Sequence, residues 1–253
     1  MPDGTHNLDT ASPRTTTASV LIIGDEVLGG EVTDLNGPFI LSLLAARGVR
    51  VLGLHVLPDE LPALEAFLRD ASLRADIVLV TGGIGPTHDD VTRLAVARAL
   101  DRPLVPHPEA TQRLDALFHR GSTPEERAMA LLPQDAELLI APGLVAFGFQ
   151  VANVLVFPGV PRLLEPLLVT HQARLGERAA HRRELRTGLR EGVIAGPLSL
   201  LAADWPELRW GSYPELTGDG WSLRLVVRGQ DPDQLDTAFG MLEEMIARLG
   251  SNT

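Results

Sequence analysis

Asp76-Ile77-Val78-Leu79-Val80-Thr81-Gly82-Gly83-Ile84-Gly85-Pro86-Thr87-His88-Asp89-Asp90-Val91-Thr92 decides the fold of this chain. Its apolar half reads as a buried parallel strand. Thr92–Leu100, just beyond it, carries the apolar spacing of a helix. Three glycines, a proline and two carboxylates therefore crowd one strand-to-helix turn, which in an open α/β sheet lies at the carboxyl edge of the strands, where ligands bind. Glycine permits φ > 0 and close approach of a ligand to the main chain, and amides at a helix N-terminus attract anions. Two aspartates would repel a bare phosphate, so their presence there suggests an intervening metal ion and phosphate-ester or pyrophosphate chemistry.

Outward from this turn, strand and helix patterns alternate from Ser19 to Pro161 and predict parallel βαβ units. Strands are expected at Ser19–Ile23, Arg50–Leu57, Ile77–Val80 and Val154–Phe157. Helices are expected at Pro38–Arg47, Glu60–Leu73, Glu109–His119, Glu125–Leu131 and Arg162–Glu177. The charged stretch Arg178–Arg183 marks a boundary. Beyond it, Leu208–Tyr213 and Trp221–Arg228 read as strands joined through Gly218-Asp219-Gly220. Glu184–Gly188 reads as a further strand, and Pro232–Leu249 as a helix with Pro in its first turn and Gly250 past its end. Gly196-Pro197 is expected to break or kink the first helix of this module. The division is thus a disordered leader over 1–17, an α/β domain over 18–178 and a small α+β domain over 183–250.

Of the 253 residues 45% are hydrophobic and 22% charged, a globular balance. The net charge of −11 argues against a nucleic-acid binder, which needs a basic face. The sequence contains no lysine, so a P-loop lysine, a Schiff-base lysine and a Ser-Lys dyad are all excluded. With no cysteine there is no disulfide or thiolate zinc site, which fits a reducing cytoplasm. No apolar stretch reaches membrane-spanning length, and the Ser/Thr-rich Met1–Thr17 lacks the order of a signal peptide.

Other strand ends carry further polar groups. Gly24-Asp25-Glu26-Val27-Leu28 follows the first strand, with Asp34-Leu35-Asn36 downstream. Asp25 or Glu26 could extend a metal site or hold a ribose hydroxyl, and Asn36 could equally cap the next helix. Pro58-Asp59 ends the second strand, where Asp59 is either a helix cap or a site residue. Asp89 or Asp90 could likewise cap the helix at Thr92. Pro158-Gly159-Val160-Pro161 forms a rigid loop with a free amide at Gly159. Of the histidines only His88 lies within a candidate site. There is no nucleophile elbow, Walker motif or dinucleotide fingerprint.

These segments, in this order and spacing from about Ser19 to Glu177, resemble the N-terminal part of the CinA (competence/damage-inducible) family. That part shares a molybdopterin-binding fold with the MoaB/Mog-like proteins of molybdenum-cofactor biosynthesis. The resemblance implies a three-layer α/β domain with a mostly parallel sheet, followed by a small α+β domain. It implies a metal-assisted nucleotide pyrophosphatase acting on ADP-ribose or a similar dinucleotide, with Mg, Mn or Co, and K, assisting. It also implies a cytoplasmic homo-oligomer taking a nucleotide or pterin ligand, and no nicotinamide-mononucleotide deamidation.

By the same resemblance, Asp59 and Asp90 match essential carboxylates, and Asp59, Asp89 and Asp90 would face the metal. Gly24, Asp25, Glu26 and Asn36 would contact substrate from the first loop and the helix it feeds. Thr81, Gly82, Gly83, Gly85, Pro86 and Thr87 would contact it from the glycine turn, and Pro158, Gly159 and Pro161 from the last loop. The sequence departs from the family at Leu144–Phe149, where Phe147 would obstruct the pocket, and also at Leu35, His88, Glu126, Ala128, Met129, Leu163 and Leu164. Alternatives to hydrolysis are a molybdopterin binder or adenylyl transferase, and a non-catalytic relative.

Overall fold

A computed structural model describes residues 15–118, 121–176, 181–218 and 220–251. The chain forms two compact units, residues 1–40 with 49–171, and residues 41–48 with 172–253.

In the first unit the elements run β1 (Thr17–Ile23), α1 (Asp25–Leu28), α2 (Asn36–Ala46, whose end belongs to the second unit), β2 (Arg50–Leu57), α3 (Leu61–Arg74) and β3 (Ile77–Thr81). Next come α4 (Thr92–Ala99), β4 (Leu104–Pro106), α5 (Pro108–Leu117), α6 (Pro124–Ala128), β5 (Leu131–Pro133) and β6 (Glu137–Leu139). β7 (Gly148–Val151), β8 (Val154–Phe157) and α7 (Pro161–Thr170) complete it.

The main sheet has the order β2-β1-β3-β8-β7-β6; β2, β1, β3 and β8 are parallel, and β7 and β6 run antiparallel. Every side chain from Val20 to Ile23 and from Ile77 to Thr81 is buried. Leu21, Ile23, Val78 and Val80 join one core with Leu64 and Leu68 of α3 and Val96 of α4. Val20, Ile22 and Leu79 point to the opposite face and are equally buried there, so the sheet is covered on both sides. That is the three-layer arrangement expected for alternating βαβ patterning.

The register places the loops at the carboxyl edge. Ile23 pairs with Leu57, Ile22 with Thr81, and Thr81 with Phe157. Four parallel strands therefore end in one row, and the loops after them open at one edge of the sheet.

Several expectations are corrected. Thr17, assigned to the leader, opens β1: its amide and hydroxyl each reach Asp76 Oδ2 at 2.8 Å. Residues 1–14 of the leader lie outside the described residues, as do His119, Asp219 and residues 178–180 of the boundary. The helix expected over Glu125–Leu131 stops at Ala128, and Leu131–Pro133 instead pairs antiparallel with Leu104–Pro106. Thr123 and Glu126 form a capping box that starts α6, while cross-strand pairing claims its expected end. β4, β5 and β6 have three residues each and β7 four, too short for alternation to show in sequence.

The second unit contains β9 (His181–Thr187), α8 (Glu191–Asp204), β10 (Arg209–Thr217), β11 (Gly220–Gly229) and α9 (Pro232–Gly250), with an antiparallel sheet of order β10-β11-β9. Ile194 and Leu201 of α8 and Leu235, Ala238 and Leu242 of α9 pack with Leu223, Leu225 and Val227 of β11. α8 runs on through Gly196-Pro197. Proline removes one helical bond, and buried residues on both sides of it, Ile194 and Leu201, hold the helix to the core.

Candidate functional site

Asn36 ties three strand-end loops together. Its side-chain amide donates to Gly159 O at 2.6 Å and to Thr81 Oγ1 at 3.3 Å, and Thr81 Oγ1 itself donates to Pro158 O at 2.9 Å. Both neighbours act as acceptors toward Asn36, which fixes its amide orientation. Asn36 Oδ1 is left buried without a partner. The cap of α2 is Asp34, which accepts from the amides of Asn36 and Gly37 at 2.9 and 3.0 Å. Asn36 is therefore a tie between loops, and its capping alternative falls.

The glycine turn needs its glycines. Gly82 has φ +103°, and a Cβ there would collide with the carbonyl of Ile23; Gly159 lies against it, its own missing Cβ 3.2 Å from Gly82 Cα. Gly83 has φ +64°, and a Cβ would strike Thr92 Oγ1. Pro161 starts α7. Phe147, expected as an obstruction, is a member of the hydrophobic core.

Carbonyls and amides in the turn are sorted by what holds them. Gly82 O accepts from the Thr92 hydroxyl at 2.9 Å and Gly83 O from Thr92 N at 3.1 Å. In a trans peptide the N–H points opposite the C=O. With both carbonyls turned onto Thr92, the amides of Gly83 and Ile84 point the other way, and among the described residues neither donates to a protein acceptor. Two successive uncommitted N–H groups form an anion-binding concavity. Gly82 N is not available, because it donates to Phe157 O at 3.2 Å, and Gly85 N donates to Asp90 Oδ1 at 2.7 Å. Of the three turn glycines expected to contact substrate, only Gly83 has an uncommitted amide, and Ile84, which the sequence did not single out, supplies the second.

Asp59 and Asp90 sit in different circumstances. Asp59 does not cap α3; its Oδ2 accepts from Asp25 N at 3.1 Å, while Oδ1 makes no hydrogen bond and lies 3.3 Å from where a Cβ on Gly83 would be. Burial pushes its carboxyl above the ordinary value; the Asp25 amide pulls it down, and the charges of Asp25, Glu26 and Asp89 push it further up. Asp90 is turned into its own loop. Besides Gly85 N, it accepts from Thr87 N at 2.8 Å and from the Thr87 hydroxyl.

Asp59, Asp89 and Asp90 were expected as one metal-facing set. Among the described residues no three His, Asp or Glu side chains gather into a metal-binding group. The reason for Asp90 is local, since loop amides already occupy both of its oxygens. His88 is almost wholly exposed, with Nδ1 3.8 Å from Asp89. Glu26 reaches back over Gly24, its carboxylate 2.6 Å from where a side chain on Gly24 would stand. Gly24 N itself is taken by Leu57 O at 3.2 Å.

Sequence reading missed Arg93. Although charged, it is 9% exposed and donates to the carbonyls of Ile84 and, at 3.1 Å, Gly85. Burial pulls its guanidinium below the ordinary value, and the charge of Asp90 opposes this. The available signal was its helical face: residue 93 lies above buried Val96 and Ala97 at i+3 and i+4.

Among the described residues no helix is long and apolar enough to cross a membrane. Residues 19–174 match the family described as "Probable molybdopterin binding domain", and residues 179–250 match "FAD synthase, middle domain". A protein of Archaeoglobus fulgidus is 31% identical over 229 residues, covering 90% of this chain and 96% of its own. A CinA-like protein of Desulfosudis oleivorans is 34% identical over 79% of this chain, which spans about half (52%) of that relative. The crystal structure of the protein CinA, of unknown function, from Thermoplasma acidophilum is similar with a TM-score of 0.60 and 29% identity. It covers 64% of this chain and 98% of its own.

Proposed function

The chain belongs to the molybdopterin-binding domain family, with CinA-like proteins among its relatives, and on that footing we propose that it hydrolyses the pyrophosphate bond of a nucleotide such as ADP-ribose. One observation carries this reading: the uncommitted Oδ1 of Asp59 stands beside Gly83, whose amide and that of Ile84 are also uncommitted. A base and an anion-binding pair side by side are what attack on a phosphate ester requires. The Gly83 and Ile84 amides bind phosphate oxygens. Asp59 Oδ1 takes a proton from water as its oxygen bonds to phosphorus and the bridging P–O bond breaks, releasing AMP and ribose 5-phosphate. The raised proton affinity of Asp59 suits a general base.

A divalent cation fits the chemistry of the donors. Asp25, Glu26, Asp59 and Asp89 are hard oxygen ligands, and Asp25, Glu26 and Asp59 form no ion pair among the described residues. Such a cation would be held by Asp89 with Asp25 or Glu26, leaving Asp59 Oδ1 to act as the base. When bound, it neutralises phosphate charge and acidifies water.

Incubating the protein with ADP-ribose and related dinucleotides in Mg, Mn or Co salts is expected to yield AMP. Absence of turnover across that panel overturns the reading. The second reading, a molybdopterin binder or adenylyl transferase on the same loops, is favoured by the family description. Molybdopterin binding without dinucleotide cleavage selects it. A non-catalytic role would be indicated if Asp59→Asn left every in vivo phenotype of the protein intact.

A further inference from the structure

We infer that Arg93 is a positioning residue, which with Asp90 clamps one peptide unit of the glycine turn from both ends and so fixes the loop immediately beyond the Gly83 and Ile84 amides, whose own orientation Thr92 sets. The inference rests on the reading of those amides as the phosphate site.

The unit is the peptide joining Ile84 to Gly85. Its carbonyl accepts from Arg93, and its N–H donates to Asp90 Oδ1 at 2.7 Å. The next carbonyl, Gly85 O, accepts from the other Arg93 nitrogen at 3.1 Å, and Pro86 has no N–H to lose. Asp90 Oδ2 closes the far side through Thr87 N at 2.8 Å. Arg93 and Asp90 make no direct ion pair within 4 Å among the described residues. Their charges meet through the peptide dipole between them.

A buried guanidinium without a carboxylate in contact is unfavourable for stability. Here its donors are spent on loop carbonyls alone. Thr92 already turns the carbonyls of Gly82 and Gly83 inward. Arg93 holds those of Ile84 and Gly85, so the loop is anchored directly after the two N–H groups, of Gly83 and Ile84, that Thr92 leaves facing out. The side chain on α4 thus sets the loop without touching the ligand. It also gives Asp90 a role through the loop, in place of contact with a metal or the reacting phosphorus.

The test compares wild type with Arg93→Met, Arg93→Lys and Asp90→Asn. ADP-ribose affinity is read by calorimetry with chelator, KM and kcat with Mg ions, and the Mg concentration for half-maximal rate is read separately. Arg93→Met is expected to weaken ADP-ribose binding and raise KM about tenfold, with kcat changed less than about threefold. Lysine keeps the charge but lacks the fork that spans two carbonyls, so Arg93→Lys should fall between the two. Asp90→Asn should share this signature with no change in half-maximal Mg, and the double variant should be no worse than the poorer single one.

Hydrogen exchange of the Gly85 amide supplies a readout free of catalysis. It should be slow in wild type and faster in Arg93→Lys, even if Arg93→Met fails to fold. Unchanged exchange together with unchanged ADP-ribose affinity in Arg93→Lys overturns the inference, as does an altered half-maximal Mg in Asp90→Asn alone. Wild-type protein that binds no ADP-ribose overturns the reading beneath it. Wild-type protein that binds, alongside an Arg93→Met variant that binds equally, overturns only the clamp.

Discussion

The two units handle charge in opposite ways. On the sheet of the C-terminal unit, opposite charges interleave: Glu215 meets Arg224 at 2.5 Å and Arg186 at 2.8 Å, and Arg224 also approaches Glu184 at 3.8 Å while stacking over Tyr213. At the strand ends of the N-terminal unit, the charges of Asp25, Glu26 and Asp89 bear on Asp59, and among the described residues no arginine answers it. The one buried arginine nearby, Arg93, is committed to main-chain carbonyls. Paired charges on a sheet face serve the fold. A group of like charges beside uncommitted amides opposes it, and such groups persist where a ligand supplies the missing counter-charge.

Four measurements would break or sharpen this contrast. Gly82→Ala should cost about 3 kcal/mol, because φ +103° and the Ile23 carbonyl both exclude a Cβ. A denaturation midpoint unchanged from wild type would show that the turn can relax. Asn36→Leu should cost about 1 kcal/mol by removing the amide that bridges the Gly159 carbonyl and the Thr81 hydroxyl; urea unfolding reads it.

Asp59→Asn should raise the melting temperature at pH 7, by roughly one or two degrees, while abolishing turnover. The sign follows from a proton affinity raised on folding: ionised Asp59 disfavours the native state once pH passes the ordinary carboxylate value. The gain should therefore vanish at acid pH, below about 3.8, where the group is protonated in both states. A gain that persists there would exclude electrostatics as its cause.

Glu215→Gln should give the smallest effect, a loss that fades as salt is added. Arg224 and then Arg186 hold the Glu215 carboxyl below its ordinary value. That contribution is complete above the ordinary carboxylate value and disappears as pH falls through the lowered one, so melting curves of Glu215→Gln and wild type should converge in acid.

The contrast also bears on what the sequence could reveal. In β11, Leu223, Leu225 and Val227 alternate with the arginines of positions 224 and 228, so core face and charged face were both readable. Asp59 stayed open between a helix cap and a site residue on its place in the sequence, and the family likeness favoured the second; the structure removes the cap, because its carboxylate meets the Asp25 amide and not the start of α3. Asp90 was expected, by the family likeness, to be catalytic and to face a metal beside Asp89; only coordinates show Asp89 exposed and Asp90 bound by Gly85 and Thr87. Arg93 escaped notice because a charged residue on an amphipathic helix is ordinarily solvated.

The sequence by itself determined the alternating α/β architecture, the separate antiparallel module and the place of the glycine turn at a strand's carboxyl end. These follow from hydrophobic periodicity and backbone sterics, which act over a few residues. Tertiary structure decided which amides remained uncommitted, which aspartate was drawn into its loop and which asparagine tied three loops together. Those outcomes depend on hydrogen-bond partners up to 123 residues apart in the chain, whose competition is resolved only when the strands align in register.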